Sequence, residues 1–378
     1  MAQVAAVYGH AVEATVLAES ATIAVDRQVR IVTHGAAIPQ LAQVSALKKW
    51  FALIEGGDPP PIEQAHRLLL EIAQRPARFG RWARLLGMVL FSVGFGISIQ
   101  PTGQEVVVSA LLGVLVGLIV DMSTRSPRFS AVAPLTASVG VAVLVLSASK
   151  YHLVHGGTID LMIPVLFVFI PGDAITMAVV ELSAGRVTAG GARLAQSLVA
   201  LGVLAFGPVV AAAALGLSDS HVFDSGVAPT LGPYAGWVGW AVFLVGVMLV
   251  FGMAPGDLPW AMAVGLGTFA AQTLAVHAFG DVPGTYIAAT LMTAACIVLG
   301  RGAGRPPRYV MFLGAFLLLT PGSHGLHGLE SWIGGQQMQG IDDVASMVSL
   351  MAAIAFGVLT AAAITPLTGM RGIRRAED

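Results

Sequence analysis

Charged residues are scarce in this chain of 378 residues. Asp, Glu, Lys and Arg make up only 11% of it, whereas hydrophobic residues make up 56% and the mean hydropathy is +0.80. In a soluble domain roughly a quarter of the residues are charged. The low charged fraction here therefore excludes an ordinary soluble protein and predicts a membrane protein. The 20 basic and 21 acidic residues nearly cancel, so no nucleic acid partner is indicated.

The sequence has a single cysteine, and it lacks the patterns of a signal peptide and of a nucleotide-binding loop. Because Cys296 is the one cysteine, an internal disulfide is excluded. Its apolar surroundings in the sequence indicate simple packing. The N-terminus lacks the basic, apolar and small-residue order of a signal peptide, so internal helices are expected to drive insertion. No Gly-rich loop ending in Lys-Ser/Thr occurs, which excludes ATP as the direct energy source. The sequence indicates no catalytic residue, metal or cofactor.

Residues 1–81 have the pattern of a small cytoplasmic α+β domain. Short β-rich runs are predicted at residues 12–17, 21–25 and 28–33. Two amphipathic helices are predicted at about 39–53 and at 62–73, on either side of a Gly-Gly-Asp-Pro-Pro-Pro breaker. Neither helix is long or apolar enough to span a bilayer. The chain opens inside what resembles a helix end, so the start of this domain is expected to be incomplete.

From residue 82 onward, long apolar runs replace this pattern. A bilayer core requires about 20 mainly apolar residues per helix, and two sets of five such runs cover residues 82–217 and 236–366, before a basic tail at 367–378. The predicted spans are residues 82–99, 105–120, 131–148, 161–180, 193–217, 236–252, 258–279, 283–299, 309–329 and 344–366. The predicted fold class is therefore a mainly α-helical polytopic membrane protein of ten transmembrane helices.

The basic residues predict which side of the membrane each end faces. Cytoplasmic loops collect Lys and Arg, and with the N-terminus inside only Lys150 of the 20 basic residues falls outside. Lys49 and Arg374, near the two termini, are therefore expected in the cytoplasm, whereas Ser220 and Gln336 are expected outside. The predicted location is the bacterial cytoplasmic (inner) membrane, with lipids around the helices.

The two sets of five helices resemble each other at a constant separation. Ala205-Phe206-Gly207 in the fifth span has a counterpart 150 residues later, at 355–357 in the tenth span. Pro171-Gly172 in the fourth span likewise has a counterpart at 321–322 in the ninth. Because a repeat of five helices is odd, the second copy must lie inverted in the bilayer. Inverted repeats with broken helices at equivalent positions are typical of secondary transporters, whose substrate site lies between them.

The two Pro-Gly pairs indicate where that site lies. Proline removes a backbone donor and glycine relaxes the backbone, so breaks within a membrane belong where they face protein or water. Asp173 follows the first break, where the amides and dipole of a half-helix favour an anion. The histidines after the second break could relay a proton. The candidate substrate- and proton-binding residues are Pro171, Gly172, Asp173, Thr176, Glu181, Pro321, Gly322, Ser323, His324 and His327.

Plain structural roles are the alternatives for these residues. Each Pro-Gly pair is explained equally by a packing kink, and Asp173 by a helix cap. Glu181 stands near the predicted cytoplasmic end, where water solvates a carboxylate at little cost. His324 and His327 belong to the outer surface if the ninth helix ends early, and His277 reads as an interfacial or hydrogen-bonded histidine.

The residues around the first break resemble the signature of the threonine/serine exporter family. The resemblance is carried by residues 170–178, Glu181-Leu182, Gly185, residues 190–194 and Tyr8-Gly9, and by the order of a soluble domain before two sets of five helices. It implies export of threonine, serine or a related small metabolite, driven by the proton motive force. Related two-subunit systems are associated with dicarboxylate export, so export of dicarboxylates such as succinate is an alternative.

Two other classes share some of these features. A passive channel would line its pore with the same broken helices, but it would conduct in the presence of a protonophore, whereas a coupled exporter would stop. An intramembrane protease is the enzyme alternative, yet Ile170 occupies the first glycine of Gly-x-Gly-Asp and residues 322–325 are out of order for Gly-x-Ser-Gly. The predicted function is therefore a secondary transporter, with a small molecule and protons as partners. Its oligomeric state is open, and a homo-oligomer is one alternative.

Overall fold

The chain folds into a mainly helical structure with one small sheet at its N-terminal end. The computed structural model describes residues 2–16, 20–25, 28–33, 40–55, 59–99, 102–154, 157–183, 185–217, 231–302, 304–319 and 337–365. Within these ranges seven helices are long and apolar enough to cross a membrane, or eight if a helix pair bent by 63° counts as one span. The chain is a multi-pass helical membrane protein, as its composition predicts.

In its described parts, the N-terminal zone, residues 1–81, combines the small sheet with three short helices. Its elements are α1 (Ala2–Val7), β1 (Val12–Val16), β2 (Ser20–Val25), β3 (Gln28–Thr33), α2 (Leu41–Glu55) and α3 (Ile62–Ala73). The strands pair antiparallel in the order β1-β2-β3, with Val12 opposite Val25 and Ser20 opposite Thr33. The predicted strands and amphipathic helices are thus confirmed, and α3 has the predicted bounds.

Helices α2 and α3 bury their apolar faces against each other. Trp50 and Ile54 of α2 and Ala65 of α3 form a small core separate from that of the membrane helices. The indole N–H of Trp50 donates to the Ala65 carbonyl at 2.9 Å, which satisfies the polar atom of a buried aromatic side chain. The Tyr8 hydroxyl donates to the Pro60 carbonyl at 2.8 Å and attaches the first residues of the chain to this pair.

The remaining helices form two sets, which we term the first half and the second half. The first half contains α4 (Arg81–Ile99), α5 (Gly103–Ser123), α6 (Pro127–Lys150), α7 (Thr158–Leu166), α8 (Gly172–Ser183) and α9 (Val187–Leu215). The second half contains α10 (Ala235–Val250), α11 (Leu258–Phe279), α12 (Asp281–Leu299), α13 (Arg308–Leu319) and α14 (Gln337–Ile364). Helices α10 and α13 are shorter than a full span, so the count of ten spans stays a prediction.

Helices α4 and α10 cross at the centre of the molecule with their backbones in contact. A Cβ atom placed on Gly239 would lie 2.6 Å from the Gly94 carbonyl oxygen, and one on Gly246 would lie 2.9 Å from the Gly87 carbonyl oxygen. No real side chain fits at such distances, so glycine is required for this approach. Because the later glycine of one helix meets the earlier glycine of the other, the two helices run antiparallel.

The third and last helices of each half also pack through a glycine. Gly207 of α9 faces Ser138 of α6, and Gly357 of α14 faces Ala289 of α12, where an added Cβ would lie 2.8 Å from the alanine Cβ. The neighbouring phenylalanine points outward in both helices, since Phe206 is 54% exposed and Phe356 is 52% exposed. The sequence match at a separation of 150 residues therefore coincides with matched packing.

Helix α2 joins the N-terminal zone to the second half. The first amides of α2, on Leu41 and Ala42, donate to the carbonyls of Phe251 and Gly252, just after α10, at 2.9 and 3.0 Å. Leu41 is fully buried in the main hydrophobic core. The free donors at the start of one helix are thus satisfied by the free acceptors at the end of another.

Two side chains of α2 extend this contact to the neighbouring loops. The Lys48 ammonium donates to the carbonyls of Gly300 and Arg305 at 2.8 and 2.9 Å. The Ser45 hydroxyl donates to the Asp257 carboxylate at 2.7 Å. Burial lowers the pKa of Lys48, while the Asp257 carboxylate acts in the opposite direction. The N-terminal zone therefore rests on the second half, although the chain connects it to the first.

Candidate functional site

The fourth predicted span is a broken helix. Helix α7 gives way to a 3₁₀ turn, Phe167–Phe169, and α8 begins at Gly172, with a bend of 63° between the two segments. Pro171 causes the break, because it has no N–H to donate and it holds the preceding Ile170 in an extended conformation (φ −72°, ψ 119°). The Ile170 carbonyl instead accepts from the Gly172 amide at 2.9 Å. The break lies where the Pro-Gly pair predicts it.

Most of the segment before the break is buried. The residues of α7 and the turn that are almost inaccessible are Leu161, Met162, Ile163, Val165, Leu166, Phe167 and Ile170. They are covered by α4, α5 and α6 of the same half. A helix that is apolar all round belongs to an interior rather than to a lipid surface. The irregular backbone is therefore enclosed by protein, which is the setting that a membrane requires for it.

Helix α13 of the second half is buried in the same way. Its inaccessible residues are Val310, Met311, Leu313, Ala315, Phe316, Leu318 and Leu319. Its described residues run to Leu319, directly before the second predicted break. The site predictions for Pro321, Gly322, Ser323, His324 and His327 fall outside the described residues, as do the topology predictions for Ser220, Gln336 and Arg374. These residues therefore remain predictions.

Asp173 lies at the start of α8 and is partly exposed. Within the described residues, the amides of Asp173 and Ala174 donate to no carbonyl, whereas the Ile175 amide donates to the Pro171 carbonyl at 3.0 Å. Two donors at a helix N-terminus are thus available to an anion. The side chain of Thr176 is 1% exposed, and its hydroxyl is already satisfied by the Gly172 carbonyl at 3.0 Å.

The start of α8 also lies where the two halves meet. Helix α8 packs against α13 and α14 of the second half. The charge of Asp173 acts on the phenol of Tyr309, at the beginning of α13. The sequence gives no sign of this proximity, since the two residues lie in different halves. The structure thus adds Tyr309 to the surroundings of the candidate site.

Glu181 has a fixed partner further along α8. Its carboxylate accepts two hydrogen bonds from the Arg193 guanidinium, from Nε and Nη2, both at 3.2 Å. At 1.5 Å per residue, Glu181 stands about 12 Å along the helix from Asp173. A Cβ on Gly190 would lie 2.8 Å from Leu182 Cγ, so the start of α9 fits closely against the end of α8. These residues connect α8 and α9, and among the described residues Glu181 has no hydrogen bond or ion pair with the break.

An aromatic cluster that the sequence pattern does not predict packs against the break. It consists of Phe91 and Phe95 of α4, Phe167 of the 3₁₀ turn, and Trp240 and Phe243 of α10. The ring centroids of Phe95 and Phe167 lie 4.6 Å apart, and those of Phe91 and Phe243 lie 4.5 Å apart. These rings form an apolar layer between the broken helix and the central crossing of α4 and α10. Their spacing within each helix is ordinary, so sequence alone cannot join them.

The fold and the break define the class of protein. A multi-pass helical membrane protein with an interrupted, enclosed helix has the architecture of a membrane transporter. The family model for threonine/serine exporters matches residues 1–216, which is more than half of the chain, and the protein belongs to this family. The resemblance seen in the sequence is thereby confirmed. No curated protein and no solved structure matches the chain.

The extent of the family match bears on the two halves. It begins with the N-terminal zone, contains the break and the connection between α8 and α9, and ends at Gly216. Gly216 is the left-handed residue that terminates α9, with φ 61°. The matched segment thus comprises the N-terminal zone and the whole first half.

Proposed function

We propose that the protein exports threonine, serine or a related small polar metabolite across the bacterial inner membrane, in exchange for protons. The observation that carries the proposal is the enclosed break at Pro171-Gly172, with the free amides of Asp173 and Ala174 beside a carboxylate. An amino acid presents both a carboxylate and an ammonium group. The amides suit the first group and Asp173 suits the second.

In this mechanism Asp173 binds either the substrate or a proton. The ionised carboxylate holds the substrate ammonium when the site opens to the cytoplasm. After release outside, a proton neutralises Asp173, so that the empty site returns without an unpaired charge among apolar side chains. One proton then moves inward for each substrate that leaves. The aromatic cluster around Phe167 separates the site from the opposite half of the membrane and must move during each cycle.

We further propose that the two halves are inverted repeats of five spans each, with the second broken helix formed by α13 and the residues that follow it. Two matched features support this. Gly87 and Gly94 have the same spacing as Gly239 and Gly246, and they meet in antiparallel register, as a twofold axis in the membrane plane requires. The enclosed short helices α7 and α13 also occupy corresponding positions in the chain.

The proposed orientation places the N-terminal zone and both termini in the cytoplasm. Lys150 is the one basic residue that this orientation leaves outside. Its ammonium donates to the Leu215 carbonyl at 3.1 Å, near the end of α9. A cation at a helix C-terminus is stabilised by the helix dipole, so this exception to the charge rule has its own structural reason. The domain boundaries at 81, 217 and 236 form part of the same proposal.

Transport by purified protein in lipid vesicles tests this function. Vesicles that contain labelled threonine should release it faster when the external pH is lowered, and a protonophore should remove that acceleration. Serine should compete with threonine. Succinate serves as the second internal substrate, because its preferential release would identify a dicarboxylate exporter. Release that is indifferent to the pH gradient and unaffected by protonophore would identify a passive channel and overturn the coupling.

A further inference from the structure

A polar cavity opens at the membrane face opposite the N-terminal zone. It has a volume of about 930 Å³ and lies between the end of α11 and the beginnings of α12 and α14. Helix α2 contacts the other ends of these helices, near Phe251 and Gly300. In the proposed orientation the cavity therefore faces the outside of the cell.

The cavity extends well below the helix ends. Gln272 lines it and precedes the last residue of α11, Phe279, by seven positions, which is about 10 Å at 1.5 Å per residue. Asp342, Ser346 and Ser349 also line it, and their spacing places them on one face of α14. Polar side chains at this depth face water or a ligand rather than lipid. The cavity is thus a polar opening into the outer part of the second half.

Its chemistry suits a small cation that bears hydrogen-bonding groups. Asp281 and Asp342 line it, no basic residue other than His277 does, and neither carboxylate has an ion-pair partner within the described parts of the chain. The described residues contain no group of three His, Cys, Asp or Glu side chains placed to hold a metal ion. An organic ammonium group is therefore a better match than a metal.

A buried hydroxyl points to a ligand independently of the carboxylates. Thr285 of α12 lines the cavity although its side chain is only 2% exposed. Among the described residues its hydroxyl has no hydrogen-bond partner. A hydroxyl that lacks a protein partner and faces a cavity is available to a ligand. A bound molecule with a polar group beside Thr285 would supply the missing hydrogen bond.

We propose that this cavity is an outer binding site for the exported amino acid, which rests there before release. Asp281 and Asp342 bind its ammonium group, Gln272 and His277 donate to its carboxylate, and Thr285 meets its side-chain hydroxyl. The inference rests on the proposed function and orientation. It adds a second substrate site, separate from the break, on the side where threonine or serine leaves.

The test compares the two faces of the membrane. Exchange of labelled threonine is measured in right-side-out vesicles, where the outer face meets the label, and in inside-out vesicles, where the cytoplasmic face does. Asp342→Asn and Asp281→Asn should each raise the half-saturation concentration at the outer face by about tenfold or more, the effect of one charge-assisted hydrogen bond. Half-saturation at the cytoplasmic face should not change.

Two further variants separate binding from structure. Asp343→Asn alters the adjacent carboxylate of α14, which has its own partner and does not line the cavity. It should leave outer half-saturation at the wild-type value. Thr285→Val keeps the shape of the side chain and should raise outer half-saturation severalfold without altering the cytoplasmic face. External N-acetylthreonine, which lacks the ammonium group, should not compete with threonine.

The possible results distinguish this inference from the proposed function. Wild-type exchange with unchanged outer half-saturation in both Asp variants would overturn the outer site and leave the exporter intact. Absence of threonine exchange by the wild-type protein would overturn the exporter, and the outer site with it. An equal rise at both faces would mean that the carboxylates stabilise the fold instead of binding substrate. Normal cytoplasmic kinetics in each variant serves as the check on folding.

Discussion

At the scale of single residues, Asp173 stands apart because of what surrounds it. It directly follows the break, the amides of Asp173 and Ala174 donate to no carbonyl within the described residues, and its charge acts on Tyr309 of the other half. A carboxylate that caps a helix accepts from an amide two or three residues further along the chain. The Asp173 carboxylate accepts no hydrogen bond within the described residues, so both it and the two amides are available to a substrate.

Asp173→Asn should abolish export of threonine against a gradient while leaving exchange of internal for external threonine. The amide keeps the size of the carboxylate and one oxygen that can accept from an ammonium group, but it cannot take up a proton. Asp173→Ala should lose both activities, since it also removes the group that binds the ammonium. The measurement is labelled threonine efflux against a gradient, in parallel with exchange at equal concentrations. Asp173→Asn protein that still exports against a gradient, with normal proton dependence, would show that the coupling group lies elsewhere.

Sequence could identify Asp173 but not its neighbours. A Pro-Gly pair in an apolar run can be recognised in the sequence, and so can the carboxylate that follows it. Tyr309 is more than 130 positions away, and only the packing of α8 on α13 makes the two residues neighbours. For Glu181, in contrast, the structure favours a structural role over the functional role that the sequence suggests. A membrane carboxylate indicates function by default, yet the structure pairs it with Arg193.

At the scale of elements, the break and the glycine crossing make different demands on the backbone. The break requires that a helix stop, whereas the crossing requires that two helices continue without side chains between them. A different substitution tests each of these two requirements.

Replacing Pro171-Gly172 with Ala-Ala should restore a continuous helix. Alanine supplies the missing amide hydrogen and favours helical backbone, so the free donors at Asp173 and Ala174 would find carbonyl partners four residues earlier. Threonine export should fall at least tenfold while membrane insertion is retained, as measured by efflux and by the amount of protein in the membrane. Export at the wild-type rate would reduce the break to a packing kink.

Gly94→Ala should destabilise the crossing of α4 and α10. The added methyl group would overlap the backbone of Phe243, and overpacking of this kind costs about 1–3 kcal/mol. The matched control is Gly202→Ala in α9, where nothing lies within 4 Å of the added atom. It should be neutral or stabilise by up to about 1 kcal/mol, because alanine is the better helix former. Thermal unfolding in detergent measures both, and equal melting temperatures for the two variants would contradict the close approach.

The bounds of the helices were more predictable than the helices that each one packs against. Periodicity gave α3 and α11 their bounds, because polar turns flank each run. Both ends of α6 and the start of α9 extend past the predicted spans, since helices continue beyond the apolar layer into polar sequence, whereas α9 ends two residues early, at Leu215. The aromatic cluster and the α4–α10 crossing escaped prediction, because both depend on which faces of distant helices meet.

At the scale of the whole molecule, orientation is the property that the charge pattern predicts most directly. In protein without Cys296, a cysteine at position 49 should be protected from an impermeant thiol reagent in intact cells, and one at position 336 should react. Permeabilised cells provide the control, because both positions should then react. Protection of position 336 in intact cells would contradict the ten-span arrangement, whereas reaction at position 49 would place the N-terminal zone outside.

The arrangement of the N-terminal zone could not be predicted. Ser45 and Asp257 are 212 positions apart, and Lys48 and Gly300 are 252 apart. Neither sequence neighbourhood contains a pattern that points to the other. A composition that separates a soluble zone from membrane helices predicts that both exist, but it does not predict where one rests on the other.

The resting place of α2 has a consequence for how the protein is made. The ribosome delivers α2 first, but the carbonyls that it binds, near Phe251 and Gly300, emerge only after most of the membrane helices. Until then α2 lacks its partners in the second half, and its docking marks the emergence of α10, α11 and α12. Nascent chains arrested before residue 250 should therefore be cut by trypsin after Lys48, whereas chains arrested well beyond residue 305 should resist cleavage there. The N-terminal zone would then report that α10, α11 and α12 are in place.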